Sequence, residues 1–191
     1  MLIRVYDAAA DLQALCLRER WRFCFIGGLA VLRWSEPRMT DDADITLFTD
    51  FGGEEEFVDV LLKRFRGRVP NAREFALRAR VLLLQHENSV PLDVGLGALP
   101  FERRSIERSS LWHATEGCEL RTCCAEDLIV HKAFASRDQD WVDIDGIVRR
   151  QGEKLETNLI FEELEPLAAL KEQPEILDRL RALMNKRLRL S

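Results

Sequence analysis

Residues 40–45 read Thr-Asp-Asp-Ala-Asp-Ile and place three carboxylates within four positions. Side chains alternate faces along a strand. In an extended segment Asp42 and Asp44 therefore point one way, while Ala43, Ile45 and Leu47 point the other and bury well. Two like charges side by side repel one another and cost stability unless a cation answers them. Arg38 is the nearest basic residue in sequence. A divalent cation is the other natural answer: Mg²⁺ takes a few carboxylate oxygens and completes its octahedron with water and substrate phosphates. Taken alone, the same pair also fits a solvated turn at the end of a strand. By alternation Asp41 faces away from the pair, toward solvent or toward Arg38.

Two further features bear on the choice. Phe23-Cys24-Phe25-Ile26 is a short apolar run ending at Gly27-Gly28, after which a helical pattern resumes. A strand that ends in glycines and opens a helix presents free backbone N–H groups and a positive dipole end, which suits phosphate. Farther on, Val90-Pro91-Leu92-Asp93-Val94 alternates so that Val90, Leu92 and Val94 share an apolar face and Asp93 takes the other. If that strand lies beside residues 42–48, a third carboxylate joins the first two. Three carboxylates on one sheet face can hold two metal ions about 4 Å apart, the arrangement of in-line phosphoryl displacement.

The elements that must position these groups follow from periodicity. Residues 7–20 are helical in pattern, 23–26 form a buried strand, and 29–34 a helix ended by Pro37. The acidic stretch runs into a second strand through Ile45, Leu47 and Phe48. Residues 54–65 form an amphipathic helix on Phe57, Val58, Leu61, Leu62 and Phe65. Residues 80–85 and 90–94, separated by a polar link, read as a β-hairpin. After a loop, residues 125–135 and 138–149 form two helices. Residues 155–172 and 174–188 add more helix, interrupted near Pro166 and at Pro174. The last helix carries a stripe of Ile176, Leu177, Leu180, Leu183, Met184 and Leu188, and the basic tail 179–190 reads as packing that stripe on the domain. The fold class is α+β: a small mixed sheet flanked by helices in residues 1–115, then a helical C-terminal subdomain in residues 116–191.

At 191 residues the chain fits one domain with a modest extension. Apolar residues make up 47% and charged residues 32%, which predicts a packed core rather than disorder. A net charge of −5 argues against a protein that coats nucleic acid through clustered Lys and Arg. The N-terminus has no apolar signal-peptide core, and no apolar run approaches the roughly 20 residues a membrane span needs. Five sparse cysteines point to reduced thiols in a cytoplasm. Cys123, Cys124 and His131 match no standard zinc spacing, and the three histidines have no Ser or Cys partner for a hydrolytic triad. Residues 138–146 resemble a calcium loop only superficially, since the glycine is misplaced. Trp141, Ile144 and Val148 there fall at helical spacing as core, while Asp140 and Asp143 read as a solvated pair.

Gly27-Gly28, a helix, Asp42-Ala43-Asp44 and the later Asp93 together resemble the nucleotidyltransferase fold of the DNA polymerase β superfamily. The stretch IGGLAVLRWSEPRMTDDADITLF is more specifically similar to the minimal bacterial nucleotidyltransferases of the AbiEii type, with Arg38-Met39-Thr40 as the Arg-x-Thr step before the acidic pair. AEDLIVHKAFASRDQDWVDIDGIV is similar to that family's helical motif, with Lys132, Arg137 and Asp140 in its basic and acidic places. The resemblance covers roughly residues 22–150. It implies a Mg²⁺- or Mn²⁺-dependent enzyme that transfers NMP from an NTP to a hydroxyl acceptor and releases pyrophosphate. The acceptor would be an RNA such as tRNA, a protein or a small molecule. It implies Asp42, Asp44 and Asp93 as catalytic metal ligands, Asp93 also serving as base. Gly27, Gly28, Arg38, Thr40, Lys132 and Asp140 would bind nucleotide, with Lys132 reaching the phosphates and Asp140 orienting Lys132 or Arg137 or lying beside the nucleotide. A non-catalytic nucleotide- or partner-binding protein on the same fold, one half of a toxin–antitoxin pair, is the alternative. Whether Asp93 stands across from Asp42 and Asp44 separates the two.

Overall fold

A computed structural model describes residues 2–188 of the chain, the side chain of Leu188 excepted; the end of the basic tail, residues 189–191, lies outside the described residues. The elements run α1 (Leu2–Arg18), β1 (Phe23–Phe25), α2 (Gly27–Trp34), β2 (Ala43–Phe48), α3 (Glu54–Arg64), β3 (Arg66–Gly67), α4 (Ala72–Ala79), β4 (Val81–Gln85), β5 (Pro91–Gly97), α5 (Pro100–Arg108), β6 (Ser110–Thr115), β7 (Cys118–Thr122), α6 (Ala125–Ala135), α7 (Asp138–Gln151), α8 (Thr157–Leu170) and α9 (Glu175–Leu188). The fold is α+β with a mixed sheet and a helical C-terminal region. The chain divides into two compact units. One comprises residues 1–29 and 39–123, the other residues 30–38 and 124–191, so the division falls within α2.

The first unit holds a seven-stranded sheet in the order β3-β4-β5-β2-β1-β7-β6. Its centre is apolar because Phe25, Ile45, Leu47, Leu82, Leu84 and Leu92 are fully buried. Four neighbouring pairs run antiparallel, including the expected β4–β5 hairpin, whereas β2–β5 and β1–β7 run parallel. Parallel neighbours need a crossover connection. Between β2 and β5 that connection consists of α3, β3, α4 and β4. Helix α3 is built for its place: Glu54, Glu55 and Glu56 occupy its first turn and Lys63 and Arg64 its last, each charge opposing the helix dipole, while Val58 and Leu61 face inward.

Several sequence expectations need correction. Strand β2 begins at Ala43, so Asp42 precedes it, held by the Thr40 hydroxyl rather than by strand pairing. The region read as a loop after residue 94 carries α5 and the β6–β7 hairpin. Strand β6 is largely exposed, so it lacks the apolar alternation that announces a strand. In the second unit Pro166 does not interrupt its helix; α8 runs through it from Thr157 to Leu170. Proline costs the helix one donor and crowds the carbonyl four residues back, and the buried Ile160, Leu164, Leu167 and Ala168 keep the helix docked. No helix among the described residues is long and apolar enough to cross a membrane.

Leu92 is fully buried directly opposite Ala43 on β2. Leu92→Ala is expected to lower unfolding free energy by about 2–5 kcal/mol, read as a shift of the urea midpoint with an unchanged slope.

Candidate active site

In the first unit the acidic groups are placed by strand register. Strand β5 lies parallel to β2 with Asp44 opposite Asp93 and Ile45 opposite Val94. Paired residues in a sheet share a face, so Asp44 and Asp93 stand side by side on adjacent strands. Ile45 and Val94 take the opposite face and are buried. Asp42 lies at the start of the same stretch, its Oδ1 accepting from Thr40 Oγ1 at 3.0 Å. Asp41 is exposed.

The two glycines make this crowding feasible. Gly27 opens α2 with φ of +56°, and a Cβ on it would fall 1.8 Å from Asp44 Oδ2. A Cβ on Gly28 would fall 2.1 Å from Thr40 Oγ1. Any larger residue would push the acidic stretch away. The Ile26 N–H donates to the Asp44 carbonyl at 3.0 Å, fixing the strand end beneath the glycine turn. The Asp44 carboxylate thus sits at the amino end of α2, where the dipole favours negative charge.

Asp93 is half-buried. Burial pushes its carboxyl above the ordinary carboxylate range; the Arg68 guanidinium pulls the other way, and the neighbouring Asp42 adds to the rise. Arg68 holds Asp93 in an ion pair. Among the described residues no three His, Cys, Asp or Glu side chains are drawn into a cluster able to hold a metal ion on their own. The donor set nonetheless fits magnesium, a hard cation that asks for one or two carboxylates and takes its remaining ligands from water and substrate phosphate. Asp42 and Asp44 are carboxylates of the kind such a cation takes.

The second unit contains the remaining candidates. Lys132 on α6 is 6% exposed, and its Nζ donates to Asp140 Oδ1 at 2.9 Å and lies 2.8 Å from Asp143 Oδ2. Asp143 also receives Arg38 as a two-pronged fork, at 2.7 and 2.9 Å, and the Gln139 amide at 3.1 Å. Asp140 receives the Arg137 guanidinium at 2.7 Å and the Arg137 backbone N–H at 3.1 Å, closing the first turn of α7. Burial by itself would raise both carboxyls. Arg137 and Lys132 outweigh it at Asp140, and Arg38, Lys132 and Gln139 at Asp143, holding both below the usual carboxylate range.

Asp143 was read from the sequence as solvated, and so was Asp140. They are 3% and 1% exposed. The signal was present: Asp140, Asp143, Ile144 and Ile147 stand at the i, i+3, i+4, i+7 spacing of the buried stripe of α7. Of the two readings for Asp41, toward solvent or toward Arg38, the exposed position agrees with the first, and Arg38 pairs with Asp143.

Residues 12–189 match the family described as nucleotidyl transferase AbiEii toxin, type IV TA system. No match was found among curated proteins. An antigenic nucleotidyltransferase-like protein from Paracoccidioides brasiliensis is similar in structure, with a TM-score of 0.54 at 14% identity, over 93% of this chain and 92% of that one. At that identity the likeness speaks for the fold. A lincomycin-bound lincosamide antibiotic adenylyltransferase, LnuA, aligns with a TM-score of 0.47 at 16% identity, over 72% of this chain and 92% of that one.

Gly27→Ala is expected to cost about 1–3 kcal/mol, from its left-handed backbone and the displaced Asp44 carboxylate; chemical denaturation measures it. The depressed Asp140 and Asp143 values bind fewer protons folded than unfolded. Their stabilisation is therefore complete above the ordinary value of 3.8 and lost as pH falls through the lower folded values. An Asp143→Asn variant should show a shallower loss of thermal stability over that acid window than the parent chain.

Proposed function

This chain belongs to the AbiEii nucleotidyltransferase toxin family of type IV toxin–antitoxin systems, and on that premise we propose that it transfers an NMP group from an NTP to a hydroxyl acceptor with release of pyrophosphate. The observation that carries the proposal is the parallel β2–β5 register, which sets Asp44 beside Asp93 at the glycine-opened end of α2. A solvated turn would not need two glycines whose missing Cβ atoms make room for an aspartate and a threonine.

Asp42 and Asp44 would hold Mg²⁺ or Mn²⁺, and Asp93 is the third candidate ligand. The bound cation would supply charge neutralisation on the triphosphate. Gly27 and Gly28 offer backbone N–H groups to phosphate oxygens. Thr40 keeps the Asp42 carboxylate aimed. An acceptor hydroxyl oxygen forms a bond to the α-phosphorus as the bond to the bridging oxygen breaks, and pyrophosphate carries that oxygen away. The Asp93 carboxylate takes the hydroxyl proton. Positioning and electrostatics supply most of the rate in such transfers.

Arg38, Lys132 and Asp140, expected from the sequence to bind nucleotide, belong to the second unit. Of these, Arg38 keeps a third of its side chain exposed while its fork is engaged by Asp143, and Lys132 is enclosed by its two carboxylates. We accordingly assign Lys132 to holding Asp140 and Asp143 in place. The acceptor belongs to the same proposal only as a class: RNA, including tRNA, protein or a small hydroxylated compound. The family's description further supports a cognate antitoxin as partner.

Incubation with α-labelled NTPs, Mg²⁺ and each acceptor class tests the reading. Label should transfer to one class, and an Asp42→Ala, Asp44→Ala double variant should lose it by about 10³-fold or more while keeping its circular dichroism. Unchanged labelling by the double variant would sink the proposal.

A further inference from the structure

Arg68 has no place in the assignments above, yet the sheet aims it at their centre. It follows the two-residue strand β3, and its backbone N–H donates to the Leu83 carbonyl at 2.9 Å. Leu83 on β4 is paired with Asp93 on β5, and Asp93 with Asp44 on β2. Arg68, Leu83, Asp93 and Asp44 thus form one row across four neighbouring segments of the sheet. The Arg68 side chain reaches over Leu83 to the Asp93 carboxylate.

We propose that Arg68 is a positioning residue whose guanidinium competes with a divalent cation for Asp93, so that the third carboxylate joins the site only when Arg68 lets go. This rests on the reading of Asp42, Asp44 and Asp93 as the metal-holding carboxylates. Asp93 stands half-buried beside two other acids, and Arg68 is the basic partner that the structure gives it. The ion pair offsets one of the three negative charges and turns Asp93 along the sheet row. A first cation needs only Asp42, Asp44 and substrate oxygens. A second cation would draw on the Asp93 carboxylate, which the Arg68 guanidinium would first have to release.

Both partners of the pair keep about a third of their side chains exposed, 33% for Arg68 and 29% for Asp93. A pair so exposed is weak enough to exchange. The released guanidinium has a destination, since its planar fork matches phosphate oxygens. Arrival of a triphosphate would then draw Arg68 away from Asp93 and open the second cation position in the same event. Arg68 would couple substrate binding to completion of the site.

The test counts Mn²⁺ binding to the full chain by electron paramagnetic resonance of the free ion, with thermal unfolding midpoints recorded for every variant. Arg68→Gln is expected to bind the weaker Mn²⁺ about five- to tenfold more tightly than the parent. Arg68→Lys, which keeps the charge and loses the fork, should gain only about two- to threefold, and it carries the test if Arg68→Gln does not fold. Asp93→Asn should abolish the gain in the Arg68→Gln background. Equal or weaker Mn²⁺ binding in both Arg68 variants overturns the proposal. Loss of all Mn²⁺ binding in Asp42→Asn confirms the underlying metal reading independently. Mn²⁺ binding unaffected by Asp42→Asn overturns that reading and the Arg68 proposal with it.

Discussion

The parallel pairing of β2 with β5 in the register Asp44 opposite Asp93 is the constraint to which the first unit answers. A slip of one residue would turn Asp93 into the core and Val94 out of it. The register is therefore locked by burial: Ala43, Ile45 and Leu47 on one strand and Leu92, Val94 and Leu96 on the other are all buried. That lock forces two carboxylates together, with Asp42 close enough to raise the proton affinity of Asp93. The surroundings offset the repulsion piecemeal. Asp44 lies at the amino end of α2, Asp42 takes the Thr40 hydroxyl, and Asp93 takes Arg68.

The second unit meets the opposite problem, charges in a nearly dry place. Asp140, Asp143 and Lys132 are all buried, and burial of an unpaired charge is prohibitively costly. The cost is met by closing the set: Lys132 bridges both acids, Arg38 clasps Asp143 with two donors, and Arg137 clasps Asp140. Networks of this kind bring little net stability over apolar packing, but removing one member strands the rest. Their effect is to fix geometry. Here the fixed geometry includes Arg38, which lies only two residues before Thr40 and four before Asp42 in the chain.

Much of this was legible in the sequence wherever a local pattern carried it. The apolar alternation of residues 43–48 and 90–94 placed Asp44 and Asp93 on polar faces, and the glycine pair marked the turn into α2. The β4–β5 hairpin and the helices α6 and α7 were readable from periodicity. What escaped depends on long-range pairing. Nothing local sets β2 beside β5, and nothing in the exposed residues of β6 announces a strand. Arg68 and Asp93 are 25 residues apart and meet only through the sheet. Asp143 was the avoidable miss, because an acid standing in the apolar stripe of a helix is a buried acid awaiting a partner.

The central claim is that Asp42 and Asp44 bind a nucleotide through a divalent cation. Calorimetric titration of the full chain with an α,β-methylene NTP, with Mg²⁺ and with the cation chelated, addresses it without needing the acceptor. Binding should require Mg²⁺ and weaken by at least about tenfold in Asp44→Asn, a loss of about 1.4 kcal/mol. Equal affinity with and without Mg²⁺, or an Asp44→Asn variant that binds like the parent chain, would contradict the account.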